Sequence, residues 1–506
     1  MSYEKPYEGL KVIDFSQGVA GPYCGMLLAQ HGAEVIKIEP KDGDWARNLG
    51  QEYGQHSAFS VTANLGKKSF VIDLKNKNSQ SILDKIISNC DIFIEGFRPG
   101  VISRLGYGYE RLKNINPKLI YLSISGFGQK GPMSHKPAMD PVLQAFTGFM
   151  SENKGPDNIP HRTPVIIFDM TTALYATQLV STALYARLTE KVGKKIEISL
   201  MESAAAMQSI RLMSGYMEGP YTHASSPSGT FKTQDGWIQI IIVKNHEFEK
   251  FCNAIGWLDF INDERFSSNA ERRKHESFLT KEVQKVFINK PTKYWKKLLN
   301  EFQVQNEKVQ DYKEFVESEQ AQALKLISWL KQPTTDVLWP TPNLPGMTPL
   351  DQKGNCGVAP YLGQHTREVM LELGYDDQKI SDFYKNKIDL IYASLTEALD
   401  GRVAGVRLDP STGKLAIRTK TSIFYDAAVL WDVDGVIFTI ENEEVREVNS
   451  NQIRSIIDFA DTEVQVLAGI GNPERIYSEL KKKGLHIIPI MAEDHELIDL
   501  DTIEKE

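Results

Sequence analysis

Residues 10–39, LKVIDFSQGVAGPYCGMLLAQHGAEVIKIE, decide the fold of this chain. An apolar run at 10–15 leads into a turn from Gly18 to Pro22, and a helix-like stretch at 24–32 leads into a second apolar run at 33–39. This succession predicts strand, turn, helix and strand, which is the pattern of a βαβ unit. We therefore expect these residues to begin a parallel sheet.

The same alternation continues along the next ninety residues. Strand patterns recur at 67–75 (KKSFVIDLK), 90–97 (CDIFIEGF) and 118–128 (KLIYLSISGFG), with helix-like stretches at 79–89 and 109–113 between them. A long apolar-periodic helix at 170–190 is followed by a strand and a helix at 194–207. Strands that alternate with helices predict a doubly wound α/β fold with a parallel sheet.

The composition changes further along the chain and predicts additional domains. We expect a large Rossmann-like domain at 1–225, completed by 331–394, because the helix-like segment 362–375 has no domain of its own. A smaller α+β domain is expected at 226–330, beginning with a hairpin around Gln234–Gly236. Residues 395–506 are expected to form an additional C-terminal α/β domain.

Bulk composition excludes several classes of protein. The 506 residues are 41% hydrophobic and 25% charged, as in an ordinary folded protein, and their net charge of −8 argues against nucleic-acid binding. The four cysteines, Cys24, Cys90, Cys252 and Cys356, show neither a CxxC motif nor a zinc spacing, so we expect buried thiols and no metal. With no secretory signal or apolar run of membrane length, the sequence predicts a cytoplasmic protein without a membrane partner.

Asp169 stands where a β-branched run gives way to a long helix, in PVIIFDMTTALYA (164–176). Two interpretations fit this position. The carboxylate could cap the helix by accepting hydrogen bonds from first-turn amides. Alternatively, it could be a nucleophile whose negative charge the helix N-terminus stabilises.

Two loops after predicted strands are candidates for ligand binding. The loop 126–139 contains Gly126, Gly128 and Gly131, which allow close approach of a ligand, although an ordinary loop would look the same. Arg98 and Arg104 follow the strand at 90–97 and suit phosphate groups, although a solvated surface is an equal alternative. The sequence contains no Walker loop, HExxH or GxSxG motif.

Several segments, taken in order, resemble the class III CoA-transferase family, to which formyl-CoA and carnitine CoA-transferases and, as relatives, the α-methylacyl-CoA racemases belong. The matching segments are 10–40, NLGKKSFVIDLK at 64–75, IEGFRPGVISRLG and its continuation at 94–132, PAMDPVLQAFTGFM at 137–150, and APYLGQHTREVMLELGY at 359–375. The resemblance covers roughly residues 8–390 and implies a ring-shaped chain that forms an interlocked homodimer.

The resemblance also implies a function and a set of site residues. CoA would move from an acyl-CoA to a free carboxylic acid through an anhydride and a thioester at Asp169, with CoA as substrate and no permanently bound cofactor. The positions that match CoA contacts of the family are Gln17, Ala20, Ile72, Asp73, Leu74, Lys75, Gly96, Phe97, Arg98, Arg104, Lys136 and Asp140. Backbone amides near Gly126–Gly128 or Gly229 are candidates for stabilising the oxyanions.

Departures from the family pattern bear on specificity. Gly96 stands where many relatives have Asn, and ASSPSGTF (224–231) has a single glycine, Gly229, where the formyl-CoA enzyme has a glycine-rich lid. Specificity for formate or oxalate is therefore not implied. An acyl-CoA racemase is an alternative, but its relatives have a histidine where this chain has Met139, and a non-catalytic CoA-binding protein is a further alternative.

The C-terminal segment AAVLWDVDGVIFTI (427–440) weakly resembles the first motif of haloacid-dehalogenase-type phosphatases. In that motif Asp432 would be the nucleophile and Asp434 the acid/base. A strand that ends in an acidic turn looks the same, and the Ser or Thr expected downstream is missing. We therefore expect an accessory or interaction domain.

Overall fold

The computed structural model describes residues 5–155, 157–219, 223–376, 379–380 and 383, together with the backbone of nine strands between residues 405 and 499. The chain divides into two compact units: residues 1–209 with 328–506, and residues 210–327. The domain limits given above stay predictions.

The first unit is built on a six-stranded sheet in which every pairing is parallel, as the alternation of strands and helices predicts. Its order is β5-β2-β1-β6-β7-β8, with β3 and β4 forming a separate hairpin. The strands are β1 (Lys11–Asp14), β2 (Glu34–Glu39), β3 (Glu52–Tyr53), β4 (His56–Ser57), β5 (Lys68–Val71), β6 (Ile92–Glu95), β7 (Ile120–Ser125) and β8 (Lys194–Ser199).

Helices cover both faces of this sheet because neighbouring strand residues point to opposite sides. Val12 joins a core with α1, α8 and α9, whereas Ile13 joins a second core with α3 and α5. The helices of this part are α1 (Ala20–Gln30), α2 (Ala58–Asn64), α3 (Lys77–Ser88), α4 (Val101–Arg104), α5 (Tyr109–Ile115), α6 (Asp140–Phe146), α7 (Phe149–Glu152), α8 (Ile167–Glu190) and α9 (Leu200–Met207).

The second unit pairs a small antiparallel sheet, in the order β11-β10-β9, with helices. Phe231 and Ile238 pack in its core with Phe251 and Phe287. Its elements are α10 (Ser209–Glu218), β9 (Ser228–Lys232), β10 (Trp237–Ile241), α11 (Asn245–Ile255), α12 (Leu258–Ile261), α13 (Asn269–Lys274), α14 (Glu276–Phe287), α15 (Thr292–Glu301), β11 (Asn306–Lys308), α16 (Tyr312–Glu317) and α17 (Glu319–Ala323).

The chain then returns to the first unit through the hairpin β12 (Ile327–Lys331) and β13 (Leu338–Pro342), and through α18 (Thr366–Glu372). Val369 and Met370 on α18 pack in the same core as Ile13 and Phe70, so this helix lies against the large sheet. None of the helices within the described residues combines the length and the apolar character needed to cross a membrane.

Beyond residue 400 the described backbone forms two further sheets, in the orders β14-β15-β22 and β19-β18-β17-β16-β20-β21. Asp432 and Asp434, which carry the phosphatase-like pattern, lie outside the described residues. The strands are β14 (Gly405–Asp409), β15 (Lys414–Arg418), β16 (Ala428–Trp431), β17 (Ile437–Glu441), β18 (Glu444–Glu447), β19 (Ile453–Ser455), β20 (Glu463–Ala468), β21 (His486–Ile490) and β22 (Leu497–Asp499).

Buried charges hold together the carboxyl ends of β1 and β2. The Lys67 ammonium donates to Asp14 Oδ2 at 2.7 Å, to the Pro22 carbonyl at 2.7 Å and to Asn64 Oδ1 at 3.0 Å, and neither Lys67 nor Asp14 has an exposed side chain. Burial lowers the pKa of Lys67 to about 8, although the charge of Asp14 opposes this shift. Lys67 therefore depends on its partner to stay charged inside the protein.

Lys67→Met should lower the free energy of unfolding by about 3–5 kcal/mol, because it leaves the Asp14 carboxylate buried without this cation. Urea unfolding followed by circular dichroism would measure the change. Lys194→Met is the matched control: Lys194 pairs with Glu190 at the surface, and its loss should change stability by less than about 1 kcal/mol. Equal effects of the two variants would contradict this account.

Candidate active site

Asp169 lies in the first turn of α8, as its third residue. The residue that caps this helix is Ile166, which contributes no side-chain hydrogen bond. Asp169 is therefore not the N-cap, and that interpretation of the sequence is wrong. Its side chain is only partly exposed, at the end of the helix where the backbone dipole favours negative charge.

The capping carboxylate of α8 comes from a different helix. Asp140, the first residue of α6, accepts hydrogen bonds through Oδ2 from the Phe168 amide at 2.6 Å and from the Asp169 amide at 3.3 Å. Its other oxygen accepts from Gln144 Nε2 at 2.6 Å, and only 1% of the residue is exposed. Asp140 therefore fixes the backbone of Asp169.

The surroundings of Asp169 raise its pKa to about 7. The larger cause is burial, which disfavours the charged form, and the second cause is the negative charge of Asp140. A carboxylate with a raised pKa is a stronger nucleophile than an ordinary aspartate once it has lost its proton. A shift of this size in a partly accessible carboxyl group marks a candidate functional site.

The carboxyl edge of the parallel sheet contains the positions that the resemblance assigns to CoA. The strand order reverses between β1 and β6, and open α/β sheets bind ligands at such a switch point. The turn after β1 holds Gln17 and Ala20, the loop after β6 holds Gly96, Phe97 and Arg98, and the segment after β5 holds Ile72, Asp73, Leu74 and Lys75. Of these, Gln17 and Phe97 are partly exposed, whereas Gly96 and Arg98 are exposed.

Four exposed cations among the predicted CoA contacts lie in the segments at this edge. They are Lys75, Arg98, Arg104 and Lys136. Among the residues that the structure describes, none of the four has a carboxylate partner. Arginines and lysines without carboxylate partners, on loops at one edge of a sheet, suit the phosphates of a CoA ester.

The turn between β1 and α1 is held in place by charge and by packing. Asp44 accepts the Gly18 amide at 2.9 Å and is itself paired with Lys37 at 2.8 Å. Gly18 has a φ of +83°, and a Cβ there would lie 2.4 Å from the Trp45 indole. Only glycine therefore fits at this position of the turn.

The glycine-rich loop after β7 packs tightly at its base. A Cβ on Gly126 would lie 2.2 Å from the Ala138 Cβ, so the two ends of the loop meet at Gly126. Gly126, Gly128 and Gly131 have the spacing G-x-G-x-x-G, yet between them and Asp140 the described chain forms no helix. The helix N-terminus that binds a dinucleotide phosphate is thus not at this turn.

Other predicted residues differ from these in the element they belong to or in their exposure. Gly229 belongs to β9 of the second unit, and Ala20 and Ile72 have buried side chains. Asp140 lies at the site but faces inward, toward the backbone of α8. Its capping role gives no local sequence signal, because its partners lie 28 and 29 residues away.

An apolar cavity of about 430 Å³ lies to the side of this edge, between α1, α2 and the segment 337–350. Met170 lines it, whereas Asp169 does not. Its lining contains no Lys or Arg, so it lacks groups that would bind phosphates. The charged part of a ligand is therefore expected to bind at the carboxyl edge of the sheet, where the exposed cations lie, and not in this cavity.

The chain is similar to known CoA-transferases in sequence and to a solved structure in fold. The family model described as CoA-transferase family III matches residues 7–366. The chain is 31% identical over 397 residues to human succinyl-CoA:glutarate CoA-transferase, covering 76% of this chain and 89% of that protein. It is 34% identical over 302 residues to acetyl-CoA:oxalate CoA-transferase of Acetobacter aceti, covering 57% and 77%. A CAIB/BAIF family protein from Brucella suis has a crystal structure that matches with a TM-score of 0.65 at 26% identity, covering 73% of this chain and 100% of that one.

Asp140→Asn should lower the pKa of Asp169 from its value of about 7, because the variant removes a neighbouring negative charge. The pKa should stay above the ordinary value of 3.8, since burial is the larger cause of the shift. Infrared titration of protein labelled with ¹³C-aspartate, with Asp169→Asn to assign the band, would measure it. The exposed Asp157→Asn serves as control, and an unchanged Asp169 midpoint in Asp140→Asn would contradict the assignment.

Proposed function

We propose, because this chain belongs to CoA-transferase family III, that Asp169 is the nucleophile of its reaction. The chain is a CoA-transferase, which moves CoA from an acyl-CoA to a carboxylic acid. The observation that carries the proposal is a partly exposed carboxyl group with a raised pKa, fixed at a helix N-terminus by Asp140, which directly follows the loop after β7.

The first half of the proposed reaction removes the donor acid. The Asp169 carboxylate attacks the thioester carbonyl, forming an acyl–aspartyl anhydride and expelling the CoA thiolate. The thiolate then attacks the aspartyl carbonyl of the anhydride, which forms an aspartyl–CoA thioester and releases the donor as a free carboxylate. No net proton is taken up or lost in these steps.

The second half repeats the exchange in reverse. The acceptor carboxylate attacks the aspartyl thioester, giving a new anhydride and the CoA thiolate. The thiolate attacks the acceptor-derived carbonyl, so the new acyl-CoA forms and the Asp169 carboxylate is restored. The relatives are named for acetyl-CoA with oxalate and for succinyl-CoA with glutarate, and we propose short-chain acids of this kind as the first substrates to test.

Individual groups have distinct proposed roles. Lys75, Arg98, Arg104 and Lys136 bind the phosphates of CoA, while the thioester end reaches Asp169. Asp140 holds the Asp169 backbone and keeps the carboxyl pKa high. The amides of Gly126–Gly128 are the candidates within the same unit for stabilising the oxyanion that develops during each attack.

We also propose that the enzyme works as a homodimer. The long helix α8 packs against α1, yet its outer side exposes Leu174 by 57%, Tyr185 by 77% and Leu188 by 65%. Large apolar side chains grouped on one helix are typical of a protein interface. A second copy of the chain is the partner that the family resemblance implies.

The proposed compartment is the cytoplasm. Cys24, Cys90, Cys252 and Cys356 are all free thiols, and burial raises the pKa of each of them. Unpaired cysteines suit a reducing compartment.

Asp169→Asn should lower the rate of CoA transfer by at least roughly 10³-fold, because the amide cannot form the anhydride. The measurement is mass-spectrometric detection of new acyl-CoA from acetyl-CoA or succinyl-CoA with oxalate or glutarate. Asp336→Asn, at a fully exposed carboxylate, should keep wild-type activity. Full activity in a folded Asp169→Asn protein would overturn the proposed mechanism.

The dimer is tested by light scattering after size exclusion. The wild type should have twice the 57.1 kDa mass of the chain. Tyr185→Glu should shift the protein toward the monomer, because it places a charge in the apolar face. Tyr312→Glu, at an equally exposed tyrosine of the second unit, should stay dimeric. A monomeric wild type, or identical behaviour of the two variants, would contradict the proposal.

A further inference from the structure

A buried chain of hydrogen bonds connects the loops that follow β6 and β7. Glu95, the last residue of β6, accepts the Phe97 amide at 2.9 Å through Oε2 and the Ser123 hydroxyl through Oε1. Ser123 in turn accepts from Gln129 Nε2 at 2.8 Å. We call this set, Gln129–Ser123–Glu95, the loop relay.

The interior members of the loop relay cannot touch a ligand. Glu95 is 2% exposed and Ser123 is 3% exposed, whereas Gln129 is partly exposed in the loop 126–139. Burial raises the pKa of Glu95 to about 7, an effect that the hydrogen bonds from Ser123 and the Phe97 amide only partly offset. Keeping a carboxyl group in this environment is unfavourable, yet its two oxygens bind the Phe97 amide in the loop after β6 and the Ser123 hydroxyl on β7.

Each of the two connected loops carries an unpaired cation of the candidate site. Arg98 follows Phe97 directly, and Lys136 lies in the loop that Gln129 anchors. That loop is closed at its base by the contact between Gly126 and Ala138, so the Gln129 bond is a second, independent attachment. The loop relay thus adds a hydrogen-bonded link between the loop that carries Arg98 and the loop that carries Lys136.

We infer that Gln129 is a positioning residue, which acts through Ser123 and Glu95 to set the spacing of the loops that bind the CoA phosphates. This inference rests on the proposed function, since it assumes that CoA binds at the carboxyl edge of the sheet. Within the described residues none of the hydrogen bonds of the loop relay involves Asp169, so the effect to be measured first is on the affinity for CoA.

Gln129→Ala should raise the Kd for CoA, and the KM for acyl-CoA, by between about threefold and tenfold, the effect of losing one hydrogen bond. Calorimetric titration with CoA and steady-state kinetics would give both quantities. Asn89→Ala is the matched control, because this amide bonds only to neighbouring groups at the opposite edge of the sheet.

A double-mutant cycle separates positioning from direct contact. If Gln129 acts through Ser123, the double variant Gln129→Ala/Ser123→Ala should bind CoA no more weakly than Ser123→Ala alone. Additive losses would mean that Gln129 touches the ligand itself and would overturn the inference, as would an unchanged Kd in Gln129→Ala. If the wild type does not bind CoA, the proposed function itself is wrong. That result differs from additive losses and from an unchanged Kd in Gln129→Ala.

Discussion

The structure of the site depends on buried charges at the carboxyl ends of β1 and β2. Lys67 binds Asp14, and Lys37 binds Asp44, with all four side chains almost completely shielded from water. Breaking either pair would leave an unpaired charge in the protein interior, which is costly, so these pairs stabilise the turn between β1 and α1. Asp44 acts on the turn directly, because its carboxylate accepts a hydrogen bond from the Gly18 amide. The sheet thus presents a rigid edge to a ligand that needs several simultaneous contacts.

A second arrangement of charge sets the pKa of Asp169. The N-terminus of α8 favours an anion, whereas burial and the carboxylate of Asp140 disfavour one at Asp169. The opposing effects leave a carboxyl group that ionises near neutral pH in a fixed position. Such a group can act as a nucleophile. In the proposed mechanism it must also act as a leaving group, when the thiolate attacks the second anhydride. Asp140 both fixes the backbone of Asp169 and raises its pKa, since the carboxylate that caps the helix also carries the perturbing charge.

Much of the fold could be predicted from the sequence, because the βαβ pattern of residues 10–39 is local and its periodicity is clear. The position of Asp169 at the start of a helix could also be predicted from the sequence. Its pairing with Asp140, and that of Glu95 with Ser123, could not be predicted, because these partners are about 28 residues apart and meet only through the sheet and helix packing. Asp140 was expected to contact CoA, yet in the structure its carboxylate binds backbone amides. The buried ion pairs of Asp14 and Lys37 were not predicted, because their partners Lys67 and Asp44 lie outside the two strands.

The central claim is that Asp169 becomes covalently acylated during transfer. The most direct measurement traps the protein with hydroxylamine during turnover of an acyl-CoA and then maps modified carboxyl groups by peptide mass spectrometry. The account predicts a hydroxamate at Asp169, dependent on acyl-CoA, and an unmodified Asp140. Turnover at full rate with no modification of Asp169, or modification of a different carboxylate, would contradict it.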